Sequence, residues 1–219
     1  MKPFCNLILV LLIVFLMPVV HQLNARRPAS APASDSLSIT DMQYLRSMSS
    51  MLKDMEDSLG INEQNMVKKI RLTKPALVPV FDTAIEPLRL PYNDDLTTML
   101  FLYAHGLYRA IQLPLYKKYC REATARTLSR GAFADSLNGL ESKAIVNTIM
   151  VGLESGSSHQ LPYPTRLINA VIDKVKRKIN TATLLYLAFD YTKKAAKDED
   201  GVLLYIGFLK YYDRLIAAR

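Results

Sequence analysis

Apolar positions recur at helical spacing along most of this chain. Leu45, Met48, Leu52, Met55 and Leu59 follow at intervals of three and four, one face of a helix over 41–59. Thr40 and Gln43 stand at capping-box spacing, Ile39 is set to staple against Tyr44, and Gly60 occupies the C′ position. Leu96, Met99, Leu100, Tyr103, Leu107, Ala110 and Ile111 predict a second helix, capped by Asn93 with Asp94 and Asp95 in its first turn. Pro114 removes the hydrogen bond to the Ala110 carbonyl and predicts a break over 110–114. Leu115, Tyr119, Ala123 and Leu128 then carry the pattern on to Gly131.

Leu137, Leu140, Ala144, Ile145, Ile149 and Leu153 stripe a helix over 133–154. Ile168, Val171, Ile172, Val175, Ile179 and Ala182 predict one long helix over 164–196, weakened at Thr181-Ala182-Thr183. Val202, Ile206, Leu209, Tyr212 and Ile216 stripe the last helix, which leaves Phe208 and Tyr211 off its core face.

Two stretches depart from this pattern. Residues 60–92 admit a short helical turn at 62–71, but Pro75, Pro79, Pro87 and Pro91 interrupt regular structure beyond it. Leu77, Val78, Val80, Phe81, Ile85, Leu88 and Leu90 are too apolar to be left in water, so the expectation is an ordered crossover packed along the body. At the other extreme, Leu7 to Val20 is unbroken apolar sequence behind Lys2. At about 1.5 Å rise per residue such a run falls short of a hydrocarbon core of about 30 Å. With Pro18 and the polar His21-Gln22-Leu23-Asn24 before Ala25, it predicts a signal peptide over 1–25, cleaved near Ala25, and a secreted protein. The rival is an uncleaved N-terminal membrane anchor from Phe4 to Leu23. Residues 26–37, small, polar and proline-containing, read as a disordered lead-in to a single helical-bundle domain over 38–219.

Composition agrees with helices. The 219 residues hold 33 Leu against 12 Val, and only 8 Gly, which disfavours a many-stranded fold with glycine turns. The expected fold class is all-α: an up-up-down-down-like bundle of about five long helices with a long first crossover. Two cysteines exclude a disulfide-dense scaffold, and removal of Cys5 with the leader leaves Cys120 either buried or paired with another chain.

Catalytic and metal signatures are missing from the sequence. Gly152-Leu153-Glu154-Ser155-Gly156 has its serine one place late for a nucleophile elbow, and His21, His105 and His159 have no i, i+4 partner. His105 falls off the apolar stripe, as a solvated or hydrogen-bonded helix residue does. Asp198-Glu199-Asp200-Gly201 lacks calcium-loop spacing and is explained as negative charge at a helix start. The reading is therefore a non-catalytic protein without metal or cofactor.

Charge adds a direction. The formal net charge is +8, distributed unevenly: residues 35–66 are net acidic, whereas 109–130 and 166–178 are net basic. These charges are either solvated helix faces or a basic surface for an acidic partner. In the second case Lys174, Lys176, Arg177 and Lys178 form an anion-binding patch for a glycosaminoglycan, an anionic membrane or a receptor. Nucleic acid is not expected, because no aromatic-basic motif accompanies the charge. On the last helix Phe208, Tyr211, Arg214 and Arg219 have the composition of interface anchors, although the aromatics equally suit a neighbouring helix.

The capped first helix, the proline-bearing crossover, Leu88-Arg89-Leu90-Pro91 leading into Tyr103-Ala104-His105-Gly106-Leu107-Tyr108, and the closing Val202-Leu203-Leu204, Phe208-Leu209 and Arg214-Leu215 together resemble the long-chain four-helix cytokines of the interleukin-6, interleukin-11 and leukaemia inhibitory factor type. That resemblance implies a secreted ligand binding a cell-surface receptor through its last helix and crossover, here Phe208, Tyr211, Arg214, Arg219, Phe81 and Leu88. The rival is a secreted or periplasmic helical binding or scaffold protein held to anionic membrane or polysaccharide by its basic helices.

Overall fold

Helices carry most of the chain in the computed structural model, which describes residues 39–62, 70–73, 88–91, 95–157, 160–197 and 201–218. The leader at 1–25, the lead-in at 26–37, Phe81 and Arg219 lie outside the described residues. Helices α1 (Ile39–Met48) and α2 (Ser50–Ser58) replace the continuous helix expected over 41–59. Ser49, with extended backbone, separates them. α1 already begins at Ile39, so Thr40 lies inside it and not at its cap position. Gly60 behaves as expected: with φ of 61° it closes α2 through Gly60 N to Asp57 O and Ile61 N to Glu56 O, a Schellman pair.

Within the crossover, β1 (Ile70–Thr73) and β2 (Leu88–Pro91) pair in parallel, Ile70 opposite Leu88 and Thr73 opposite Pro91. Residues 70 and 71, expected in a helical turn, are thus extended. Leu88 sits at the start of β2, and Leu90 is buried in the core. Asp95 caps α3 (Leu96–Ile111), accepting from Thr98 N at 2.8 Å, and Asn93 lies outside the described residues. The break at Pro114 occurs as anticipated, with proline in the first turn of α4 (Leu113–Thr124), where its missing N–H has no helical partner to lose. The pattern was expected to run to Gly131; instead α4 ends at Thr124 and Gly131 falls in the first turn of α5 (Arg130–Glu154).

The helix expected over 164–196 is two, α6 (Thr165–Val175) and α7 (Thr181–Lys194). Arg177 adopts a left-handed conformation that no helix continues through, and Asn180 caps α7 by accepting from Thr183 N at 2.7 Å. Helix α8 (Leu204–Ala217) completes the chain. Its buried residues are Leu204 and Phe208, whereas Ile206 is exposed; Leu209 and Tyr212 of the expected stripe still pack against the core, so the stripe is turned by about one residue from expectation.

The spine is α5. A helix on a protein surface buries one stripe, but α5 buries residues all round, including Asn138, Glu141, Ser142 and Thr148. It packs against α3, α4, α6, α7 and α8. Small residues allow close approach: a Cβ on Gly152 would sit 2.9 Å from Leu161 Cδ1 and 3.1 Å from Phe101 Cε1. Two apolar clusters share this spine. Its C-terminal half meets Leu45, Leu52, Tyr103, Leu107, Val171 and Leu184; its N-terminal half meets Tyr116, Leu204 and Phe208. Among the described residues no helix is long and apolar enough to cross a membrane.

Candidate functional site

Three groups of polar side chains and one surface turn are candidates for function. The first is internal. Glu141, buried on α5, accepts from Arg109 Nε at 2.8 Å and Arg109 Nη2 at 2.6 Å, while His105 Nε2 lies 3.0 Å from its Oε1. Tyr163 Oη stands 3.5 Å from the other ring nitrogen of His105. Burial alone would raise the Glu141 pKa, but the charge of Arg109 and then His105 outweighs it and holds the carboxyl well below the usual range. His105 and Arg109 are i and i+4 on α3, so both reach the same carboxylate. This places His105 as the hydrogen-bonded helix residue that its position off the stripe suggested.

A second internal carboxylate, Glu56, accepts from Tyr103 Oη at 2.6 Å and from Arg46 Nε. Here burial wins: it pushes the Glu56 pKa up against the donors, and with the Glu56 charge it pushes the Tyr103 phenol up as well. In both clusters the carboxylate oxygens face donors from the protein itself. Their chemistry is to lock α1, α2, α3 and α5 together.

The third group explains the α1–α2 break. Glu154, at the end of α5, accepts from the Ser49 hydroxyl, from Ser50 N at 3.0 Å and Ser50 Oγ at 2.6 Å, and from Met51 N at 3.4 Å. A carboxylate from elsewhere in the chain thus caps the start of α2, where free N–H groups and the helix dipole favour negative charge. Burial raises the Glu154 pKa, and the hydrogen bonds from Ser49 and Ser50 more than reverse it. A group lowered on folding contributes stability that is full above its unfolded pKa, about 4.3, and is lost as pH falls through the folded value. Glu154→Gln is therefore expected to reduce stability by about 1 kcal/mol at neutral pH, the solvent exposure of the site keeping the loss modest. In urea titrations at a series of pH values the gap to the unmodified protein should close on acidification below about pH 4. A gap that stays constant with pH would show that the carboxylate charge is not what caps α2.

The interface anchors expected on the last helix divide. Phe208 is 1% exposed, packed in the α4–α5–α8 cluster, and is not available to a partner. Leu204, Phe208, Tyr211 and Leu215 follow at intervals of four, three and four, so a helix apolar on several sides turned this aromatic face inward. Tyr211 stacks on Tyr116 with centroids 6.3 Å apart and tilts against Phe133 at 6.0 Å. Arg214, exposed, lies over the outer face of Tyr211 at 5.5 Å. Cys120 is half-buried 3.9 Å from Tyr211 Oη, and burial pushes its thiol pKa up.

The basic residues of 166–178 converge on the turn between α6 and α7. Lys176, Arg177 and Lys178 are exposed there and Lys174 is half-buried. Val175, expected in the core stripe, is instead 57% exposed because α6 ends on it. Arg177 N donates to Lys174 O at 2.9 Å and Lys178 N to Asp173 O at 2.6 Å, a Schellman closure with Arg177 at C′ and φ of 62°. Gly60 and Gly156 fill that left-handed position at two other helix ends. An arginine there is strained by roughly 1–2 kcal/mol, a cost that glycine avoids. The charge run signalled this patch in the sequence; nothing local signalled the left-handed arginine or the outward turn of Val175.

Among the described residues no group of three or more His, Cys, Asp or Glu is placed to hold a metal ion. Comparison with protein-family models, with curated proteins and with solved structures finds no match to this chain.

Proposed function

We propose that this chain is an exported, non-catalytic helical binding protein that meets an acidic partner through its outward-facing cations. The observation that carries this reading is the turn at Lys174, Lys176, Arg177 and Lys178. Its three consecutive exposed cations sit on a backbone fixed by the closure of α6. Arg130, Lys193 and Lys194 are answered within the chain, by Asp213, Asp135 and Asp190, and the other exposed cations without an ion pair among the described residues, such as Lys117, Arg121 and Arg166, do not form a run of three. Among the described residues the four cations of the turn make no ion pair. Clustered positive charge without internal counter-charge steers and holds polyanions, in a manner weakened by salt.

Retention on immobilised heparin, a sulfated polysaccharide used as a generic polyanion, tests this. The chain should elute only at raised salt, and Lys176→Gln/Arg177→Gln/Lys178→Gln should elute markedly earlier with an unchanged circular dichroism spectrum. Equal elution of the two proteins would remove the turn from consideration as the binding surface.

A receptor-binding ligand of the long-chain four-helix cytokine kind, with an up-up-down-down-like bundle, is the second reading. What favours it is the exposed Arg214 seated on Tyr211, a rigid cation–aromatic pair of the type that anchors interfaces. Burial of Phe208 removes it from that surface, which on the described part of the last helix leaves Tyr211 and Arg214.

A further inference from the structure

We infer that the α6–α7 turn is a docking tip for an anionic lipid bilayer, with Lys174, Lys176, Arg177 and Lys178 on the headgroups and Val175 entering the boundary between headgroups and acyl chains. This deepens the acidic-partner reading and rests on it.

Two features separate a bilayer from other polyanions. First, Val175 is the most exposed large aliphatic side chain among the described residues, and it stands between Lys174 and Lys176 rather than on a polar helix face. A sulfated polysaccharide engages the cations and leaves that side chain in water. A membrane surface takes both, since interfacial binding combines buried apolar area with attraction to acidic lipid. Second, Arg177, left-handed as Arg126 is at the end of α4, keeps a cation at the apex of the turn where glycine would relax the backbone. No acid lies between Lys174 and Asn180 to repel headgroups. The nearest in sequence, Asp173, is half-buried, and its backbone carbonyl is taken by Lys178 N. Each cation near an anionic surface strengthens binding by about fivefold, so four cations with a single valine side chain give weak, reversible attachment and not an anchor.

The test is co-sedimentation of the purified full chain with vesicles of phosphatidylcholine plus phosphatidylglycerol, and with vesicles of phosphatidylcholine alone. Charge-dependent binding should appear only with the first and fall with added salt. Any attachment through the apolar run at Leu7 to Val20 appears with both and is unchanged by substitutions in the turn. Arg177→Gly should lower the charge-dependent partition about fivefold while raising the unfolding temperature, so the loss cannot be ascribed to misfolding. Val175→Ser should lower vesicle binding several-fold and leave heparin retention unchanged. Heparin retention without charge-dependent vesicle binding, or vesicle binding indifferent to both substitutions, overturns the bilayer proposal and leaves the acidic-partner reading standing. Failure to bind either polyanion overturns both.

Discussion

Arg109→Ala should lower the unfolding temperature of this protein by about 10 °C. The guanidinium makes two hydrogen bonds to Glu141, a carboxylate with 5% of its side chain exposed at the centre of the fold. Removing it leaves a buried charge with His105 as its remaining partner in the cluster. Breaking a buried ion pair from one side typically costs about 3–5 kcal/mol. For a body of this size each kcal/mol is worth about 2–4 °C. The pH dependence carries the sign of the effect. In the unmodified protein Glu141 contributes stability that is present above the ordinary carboxylate pKa and lost as pH falls through its lowered value. In the variant the same carboxyl is buried without its main counter-charge, its pKa moves up, and acidification should recover part of the loss. Arg109→Ala/Glu141→Leu, which removes the charge together with its partner, should be closer to the parent than the single variant. Thermal unfolding followed by circular dichroism measures all three. A single variant within 2 °C of the parent would mean that Glu141 is not held ionised in the core.

Phe133→Ala should cost about 3–5 kcal/mol, the range for deleting a buried aromatic ring. Phe133 is fully buried near the start of α5, with Tyr211 at 6.0 Å and Tyr212 at 5.6 Å. It holds α8 to the spine, so the truncation loosens α8 selectively. Cys120, half-buried behind Tyr211, is the reporter: in a Cys5→Ser background its labelling by a thiol reagent should speed up well beyond the parent rate. Because both apolar clusters share α5, unfolding should still occur in one transition. Two separated transitions would show that the spine does not couple them. Tyr186→Ala, at a side chain 66% exposed, is the matched control and should change stability by less than about 0.5 kcal/mol.

The helical character of the chain was legible wherever an amphipathic stripe, a proline or a glycine wrote it locally. Pro114 marked the α3–α4 break, and Gly60 the end of α2. What escaped was written at a distance or in an unusual residue. Nothing near Ser49 announces a helix break, because the group that stabilises it is Glu154, 105 positions away. Nothing near Arg177 announces another, because the left-handed position is held by arginine where glycine is the usual sign. The phase of α8 was ambiguous for a third reason: Leu204, Phe208, Tyr211 and Leu215 repeat as well as Val202, Ile206 and Leu209 do, and only the surface presented by Tyr116 and Phe133 decides between them. The same holds for Glu141, a polar residue beside an apolar stripe until Arg109 and His105 on another helix meet it. Of the surface candidates, the basic run was visible as composition, but Val175 belonged to a helix stripe until that helix proved to end on it.

The carboxylate at the end of α5 also sets an order of events when the chain is made. Ser49 leaves the ribosome 105 residues ahead of Glu154, and at about 5–20 residues per second the start of α2 waits roughly 5–20 s for its cap. Throughout that interval the start of α2 lacks its capping anion. A nascent chain halted before Glu154 therefore presents α2 packed on α3 but uncapped, and completion of α5 is the step that closes its start.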